Sequence, residues 1–247
     1  MPSSTQLTYK SQFQQPTGLH PKLEIALSRQ LLSPPKTSCS LHAYMTLPSA
    51  FFIDRYQLSD QLFLDSQNLV ALRSLTGEDD LEAPDWTVER WGSAALFELA
   101  TPRAHDLSVA AKDKWTITIP THLRYVRGPN QEDDKASEAT VAVPWPVVFW
   151  ACDAEEGLKM ASNPFDRVNL GYDGLFGPKT MFYHVPPVAD AKELVHEIHV
   201  PVLNVQSAAS VQMGTLIAVT AGFAWVCWQL VKSKTRWSSG GSHVKKE

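Results

Sequence analysis

Across residues 22–200 the apolar positions come in short runs, most of them β-branched or aromatic, cut by turn-forming residues. Residues 22–27 alternate polar and apolar side chains. Further runs follow at 41–47, 69–72, 94–99, 115–119, 123–126, 140–143, 147–152, 181–184 and 198–203. Between them stand Pro48, Gly77, Pro84, Pro102, Pro120, Gly128, Pro129, Pro144, Pro146, Gly177 and Pro178. Strands this short and frequent predict a mainly β fold, a sandwich-like domain over 16–206. No βαβ alternation is present, which argues against a doubly wound sheet. Only 57–67 and 189–196 read as short helices, the second from a capping-box-like start of Asp190 and Glu193. Residues 1–15 read as a flexible N-terminus.

The pattern changes after Glu197. From there to Lys232 no residue is charged, with His199 counted as neutral. The 21 residues 211–231 read VQMGTLIAVTAGFAWVCWQLV, with Gln212, Thr215, Thr220 and Gln229 as the clearly polar side chains. About 20 apolar residues cross a hydrocarbon core of ~30 Å. This predicts a single transmembrane helix over 207–231; a buried helix of a globular domain is the weaker reading, since such helices are rarely so long and charge-free. Trp225, Trp228 and Trp237 lie towards the C-terminal end, where an aromatic belt sits. Ser210, Gly214, Ala218 and Gly222 recur every four residues and therefore share one helix face, which lets a second membrane helix approach closely. Chance is the competing explanation, since small residues are common in such helices.

Charge sets the expected orientation. Lys232, Lys234, Arg236, Lys245 and Lys246 follow the span, and Lys192 alone falls in the twenty residues before it. The positive-inside rule places a basic tail, 232–247, in the cytosol and the large N-terminal part in the lumen. Residues 1–30 hold no apolar run resembling a signal peptide, so either the span itself directs translocation or the natural start lies elsewhere.

Composition adds exclusions. Formal net charge is −4 and charged residues are 19%, so no basic nucleic-acid footprint exists. The mean hydropathy of −0.18 blends a polar domain with an apolar span. The acidic triplets at 78–80 and 132–134 lack the spacing of an EF-hand loop and read as solvated turns rather than calcium ligands. Cys39 and Cys152 fall in the lumenal part, where either a disulfide between them or two buried thiols fits. No N-x-S/T sequon occurs. There is no P-loop, GxGxxG, GxSxG or HExxH motif. His196 and His199 are spaced for a metal on a helix, but their neighbours look strand-like, where i and i+3 face opposite ways. His42, His122 and His184 lie in or beside strand patterns and read as hydrogen-bonded structural histidines. We therefore expect no catalytic residue, no metal and no cofactor.

Several stretches together resemble one family. They are Pro16-Thr-Gly-Leu-His-Pro21, Cys39-Ser-Leu-His-Ala-Tyr44, Leu47-Pro-Ser-Ala-Phe-Phe-Ile-Asp-Arg-Tyr-Gln-Leu58, Pro120-Thr-His-Leu-Arg-Tyr125 and Pro201-Val-Leu-Asn-Val-Gln206, the last followed by the span. The set resembles the PIG-X family, whose fungal members are called PBN proteins, over roughly 16–231. The resemblance implies a single-pass endoplasmic reticulum membrane protein with a lumenal β domain. It also implies an accessory, non-catalytic subunit of GPI mannosyltransferase I, which adds the first mannose to the GPI precursor. The implied partner is a multispanning catalytic subunit of the PIG-M type, which the accessory subunit stabilises. A lumenal chaperone or quality-control factor with a client-binding β domain is the alternative reading. The missing sequons depart from what a lumenal domain leads one to expect. The C-terminal Val244-Lys-Lys-Glu247 lacks the second lysine of a dilysine signal, so retention through the partner is expected.

Within the family stretches, Asp54 and Arg55 interrupt the apolar run of Phe51, Phe52 and Ile53 before Tyr56, and a charged pair there is costly to bury unpaired. We expect Asp54, Arg55 and Tyr56, with His122, Arg124 and Tyr125, to serve partner contact or domain integrity. A strand-end turn held by Asp54 is an equal alternative.

Overall fold

The computed structural model describes residues 7–14, 18–28, 34–35, 38–88, 91–101, 114–127, 138–154, 175–176, 179–203 and 205–239. The chain divides into two compact units, Met1–Val202 and Leu203–Glu247.

The first unit is mainly β. Its strands are β1 (Tyr9–Phe13), β2 (Lys22–Ser28), β3 (Cys39–Pro48), β4 (Phe51–Phe52), β5 (Leu69–Gly77), β6 (Gly92–Leu99) and β7 (Lys114–Pro120). Then come β8 (His122–Leu123), β9 (Val126–Arg127), β10 (Glu138–Pro144), β11 (Val147–Asp153), β12 (Thr180–Val185) and β13 (Val195–Leu203). One sheet has five strands in the order β12-β11-β3-β6-β5. Two three-stranded sheets run β1-β2-β7 and β10-β13-β9, and β4 pairs with β8 alone.

A shared core joins these layers. From the five-stranded sheet come Leu41, Ala43, Met45, Leu47, Ala95, Phe97, Val148 and Trp150; from the other sheets come Leu23, Ile25, Ile117, Ile119, Val143, Ile198 and Val200. Alternate residues of β3, β6 and β11 carry the opposite face, where Tyr44, Ala94, Leu96, Phe149 and Ala151 form a second cluster with Phe176 and Phe182. The five-stranded sheet is thus buried on both faces in its middle, which is why β6 and β11 read as nearly unbroken apolar runs.

Two glycines are demanded by close approach. Gly92 has φ +129°, and a Cβ there would sit 2.0 Å from the Leu47 carbonyl oxygen. Gly77 has φ +101° and meets the Gly92 carbonyl oxygen in the same way, at 2.4 Å. A side chain at Gly92 would push β6 away from β3, and one at Gly77 would push β5 away from β6.

Three sequence expectations need correction. Residues 9–13, placed in a flexible N-terminus, form β1, antiparallel to β2 with Tyr9, Ser11 and Phe13 turned inward. Ser11 in the middle hides the alternation, and it is buried because its Oγ lies 3.0 Å from His196 Nε2. The helix expected at 189–196 does not form. Pairing of Val195 and His196 with Pro144 and Val143 of β10 takes over there, and cross-strand burial outweighs the capping signal. The strand expected over 123–126 is broken between β8 and β9, because Arg124 turns inward. The expected helix at 57–67 is present as a 3₁₀ turn, Gln57–Ser59, and a short helix α1, Gln61–Ser66, capped by the Asp60 carboxylate on the Leu62 N–H.

The second unit is one helix, α2 (Val205–Ser239). Its stretch Ala209–Lys234 is long and apolar enough to cross a membrane. Leu216, Ile217, Phe223, Trp225 and Trp228 are all exposed. The hydroxyls of Thr215 and Thr220 bond back to the carbonyls of Val211 and Leu216 at 2.9 and 2.8 Å, so neither presents an unsatisfied donor to an apolar surround. The helix continues to Ser239, past the end expected at residue 231. Residues 240–247, with Lys245 and Lys246, lie outside the described residues.

Candidate functional site

Three of the family stretches, far apart in sequence, meet at one place. In β4 and β8, Phe51 pairs with Leu123 and Phe52 with His122. The Arg124 N–H donates to the Ala50 carbonyl at 2.9 Å, and the N–H groups of Thr121 and Leu123 donate to Pro21 and Leu19, both at 3.0 Å. The segments 18–21, 50–58 and 121–125 therefore form a single backbone-tied unit.

Phe52 is its centre. The His122 ring stacks on it, with centroids 5.1 Å apart and planes at 20°. The Arg124 guanidinium carbon stands 4.9 Å from the Phe52 centroid, a cation–π distance. His122 is held at both nitrogens. Nε2 lies 3.0 Å from Gln57 Oε1 and Nδ1 lies 2.9 Å from His20 Nδ1. With Gln57 Oε1 as an acceptor, Nε2 carries the proton, and His122 Nδ1 accepts from His20 Nδ1–H. Burial lowers the His122 pKa, the neighbouring His20 adds to this, and Asp54 opposes it.

Arg124 is 5% exposed. Its Nη1 donates to the carbonyls of Asp80 and Ala83, the latter at 2.8 Å. Burial depresses its pKa against the pull of Glu78, Asp80 and Asp85. The acidic triplet at 78–80, expected to be a solvated turn, is thus anchored through its backbone. Asp80 Oδ1 further accepts from the Glu82 and Ala83 N–H groups. The loop ends where the Asp85 N–H donates to the Tyr125 carbonyl at 3.0 Å. The triplet at 132–134 lies outside the described residues.

Asp54 holds a turn. One carboxylate oxygen accepts from the N–H groups of Tyr56 and Gln57, at 2.8 and 3.3 Å. Arg55 points outward and pairs with Asp79 at 2.9 Å. Tyr56 and Tyr125 are 72% and 67% exposed, so the buried frame presents two aromatic side chains to its surroundings. Sequence reasoning picked out Asp54, His122 and Arg124 but missed Phe52, His20 and Gln57. The repetition of a Pro-Thr start followed by His in PTGLHP and PTHLRY was the available signal.

Cys39 and Cys152 stand opposite each other on β3 and β11 and are joined by a disulfide. His196 and His199 lie on β13, where His196 stacks on Trp145 and His199 is near the Thr140 hydroxyl. Among the described residues no three His, Cys, Asp or Glu side chains group as metal ligands. On α2, Ser210, Gly214, Ala218 and Gly222 fall on one face, and both glycines have open space around them.

These features can be set against known proteins. The PIG-X / PBN1 family pattern matches residues 16–231. The chain belongs to the PIG-X / PBN1 family. Among its relatives, Protein pbn1 of Aspergillus oryzae is 50% identical over 94% of this chain and 43% of its own length. Protein pbn1 of Aspergillus fumigatus is 50% identical over 93% and 48%. Protein PBN1 of Yarrowia lipolytica is 32% identical over 95% and 47%. The chain spans less than half the length of these relatives. The match covers the Phe52 unit, the disulfide and most of α2.

Proposed function

We propose that this member of the PIG-X / PBN1 family acts in GPI-anchor biosynthesis as a membrane-anchored, non-catalytic subunit. In this reading it stabilises a multispanning mannosyltransferase subunit of the PIG-M type in the endoplasmic reticulum membrane. The β unit faces the lumen and the basic end of α2 faces the cytosol, as the Lys and Arg asymmetry demands.

The observation that carries the reading is the convergence of family stretches on Phe52. In a frame built from buried Arg124 and half-buried His122 and Asp54, Arg124 and Asp54 hold backbone and His122 holds Gln57 and His20; what the frame offers outward is Tyr56 and Tyr125. Tyrosines on a rigid frame supply contact area at low entropic cost, as protein interfaces require. The small-residue face of α2 supplies a second contact suited to a membrane helix.

The test is affinity purification of the full chain in mild detergent. One stoichiometric multispanning protein, with mannose transfer from dolichol-phosphate mannose in the same fraction, is the expected outcome. Recovery of many unrelated clients without transfer activity would overturn it in favour of a chaperone.

A further inference from the structure

The second face of the five-stranded sheet carries a pocket that the Phe52 unit does not use. It is half open, with a volume of about 540 Å³, within the range of small-molecule sites. Its floor is β3 and β11. Ser40 and His42, two apart on β3, point to the same side, and Ala151 is Ser40's partner in register. The Cys39–Cys152 disulfide joins the same two strands one rung further along and also lines the pocket. Leu96 comes from β6, and Leu175 and Phe176 form a wall.

Two polar side chains, Ser40 and His42, stand on the floor. His42 is 4% exposed. Its Nε2 is 2.8 Å from the Ser40 hydroxyl, while Nδ1 is sealed from solvent. Its ring is fixed by stacking on Phe149 at 5.6 Å and by an edge contact with Phe176 at 5.0 Å. The ring thus backs the Ser40 hydroxyl, the polar group that this part of the floor presents to the cavity.

The charges decide the kind of ligand. Arg73 reaches the rim from a register shift in β5 and is already bound to Glu98, Nε to Oε2, at 2.6 Å. Asp153 adds a negative charge at the mouth. Among the described residues of the lining, an anion therefore finds no cation that is not already paired, and a cation finds one exposed carboxylate. His42 itself is neutral at physiological pH. Burial first, and Arg73 second, bring its pKa down to about 4, and the Phe97 backbone pulls the other way. What remains is a set of neutral donors and acceptors against an aromatic wall.

We propose that this pocket binds a neutral, polyhydroxylated ligand of sugar size, with the Ser40 hydroxyl, held by His42, reading its hydroxyls and Phe176 packing on its apolar face.

The test uses the full chain in a detergent without sugar groups, titrated with methyl hexosides and observed by saturation-transfer NMR. Inorganic phosphate and a tetraalkylammonium salt serve as charged probes. We expect saturable binding of at least one hexoside near about 1 mM, none of the charged probes, and at least tenfold weakening in Ser40→Ala. His42→Phe keeps the ring stack but removes the nitrogen that holds the Ser40 hydroxyl, and should weaken binding as well. Leu175 is 52% exposed, so Leu175→Trp blocks the mouth without threatening the core; it should abolish binding with the melting temperature unchanged. The proposal is overturned if no hexoside binds the wild-type chain, if a charged probe binds instead, or if binding survives Leu175→Trp. None of these outcomes depends on a partner subunit, so they do not bear on the proposed function.

Discussion

The Arg124 guanidinium stands 4.9 Å from the centre of the Phe52 ring while Nη1 of the same side chain binds the carbonyls of Asp80 and Ala83. One cation thus ties β4 and the 80–83 loop to the break between β8 and β9. Arg124→Met keeps much of the buried volume but strands two carbonyls, a loss of about 1–3 kcal/mol. Arg124→Lys fares little better, because an ammonium cannot reproduce the fork. Amide exchange at 80–85 should accelerate in both variants, with the β2–β7 pairing unaffected. Unchanged exchange at 80–85 would contradict the latch.

Asp54 acts through two backbone N–H groups rather than through a charge partner. Asp54→Asn retains an acceptor of the same shape and should melt close to the parent. Asp54→Ala removes it and should cost about 1 kcal/mol, or roughly 2–4 °C in melting temperature for a domain of this size. If the two variants melt alike, the turn does not depend on this carboxylate.

Acid should destabilise the β unit by way of His196 and His42, with the lowered pKa of His122 acting in the same direction. Burial lowers His196 to about 4, and burial with Arg73 lowers His42 to about 4, both from 6.5 in the unfolded chain. The neutral forms are favoured by folding, so their contribution is complete above pH 6.5 and falls away as pH drops towards 4. Melting temperature measured from pH 7.5 to 4.5 should decline across that window. His196→Phe should flatten the slope, and a parallel decline in that variant would assign the acid sensitivity elsewhere.

The disulfide links residues 113 apart in sequence. Closing a loop of that length restricts the unfolded chain, with removal of a native disulfide typically costing 2–5 kcal/mol. Cys39→Ala with Cys152→Val should lower the melting temperature, whereas Cys227→Ala should not. Mass spectrometry of the unreduced protein should find the Cys39–Cys152 peptide pair; recovery of both as free thiols would disprove the link.

The α2 face is tested apart from the β unit. Gly214→Leu with Gly222→Leu fills the open space along one side of the helix. Co-purification with the multispanning subunit proposed above should weaken, while the melting of the β unit stays constant. Full retention of the partner would remove this face from the interface.

Much of this fold was legible because the apolar periods are local. Nine of the predicted runs correspond to strands within a few residues, and the charge-free segment after Glu197 stands out by composition alone. What escaped was set by distant residues. Ser11 becomes a buried strand position through His196, and 189–196 gives up a helix because β10 offers Val195 and His196 partners. The site was half legible. A charged pair inside an apolar run flagged Asp54 and Arg55, but nothing local in Phe52 says that His122 and Arg124 will settle on its ring. Nor does the sequence around Ser40 and His42 disclose a cavity, which exists only because β3, β11 and the wall at Leu175 and Phe176 come together.

β13 ends at Leu203 and α2 begins at Val205. In β10-β13-β9 it is the central strand, so neither neighbour has its partner until residue 203 has been made. Chains emerge N-terminus first at about 5–20 residues per second. The domain therefore waits, with Val143 and the surrounding apolar surface uncovered, until the ribosome is already delivering the membrane helix. Completion of the β unit and arrival of its anchor are one event in time, and a truncation placed anywhere before β13 forfeits both.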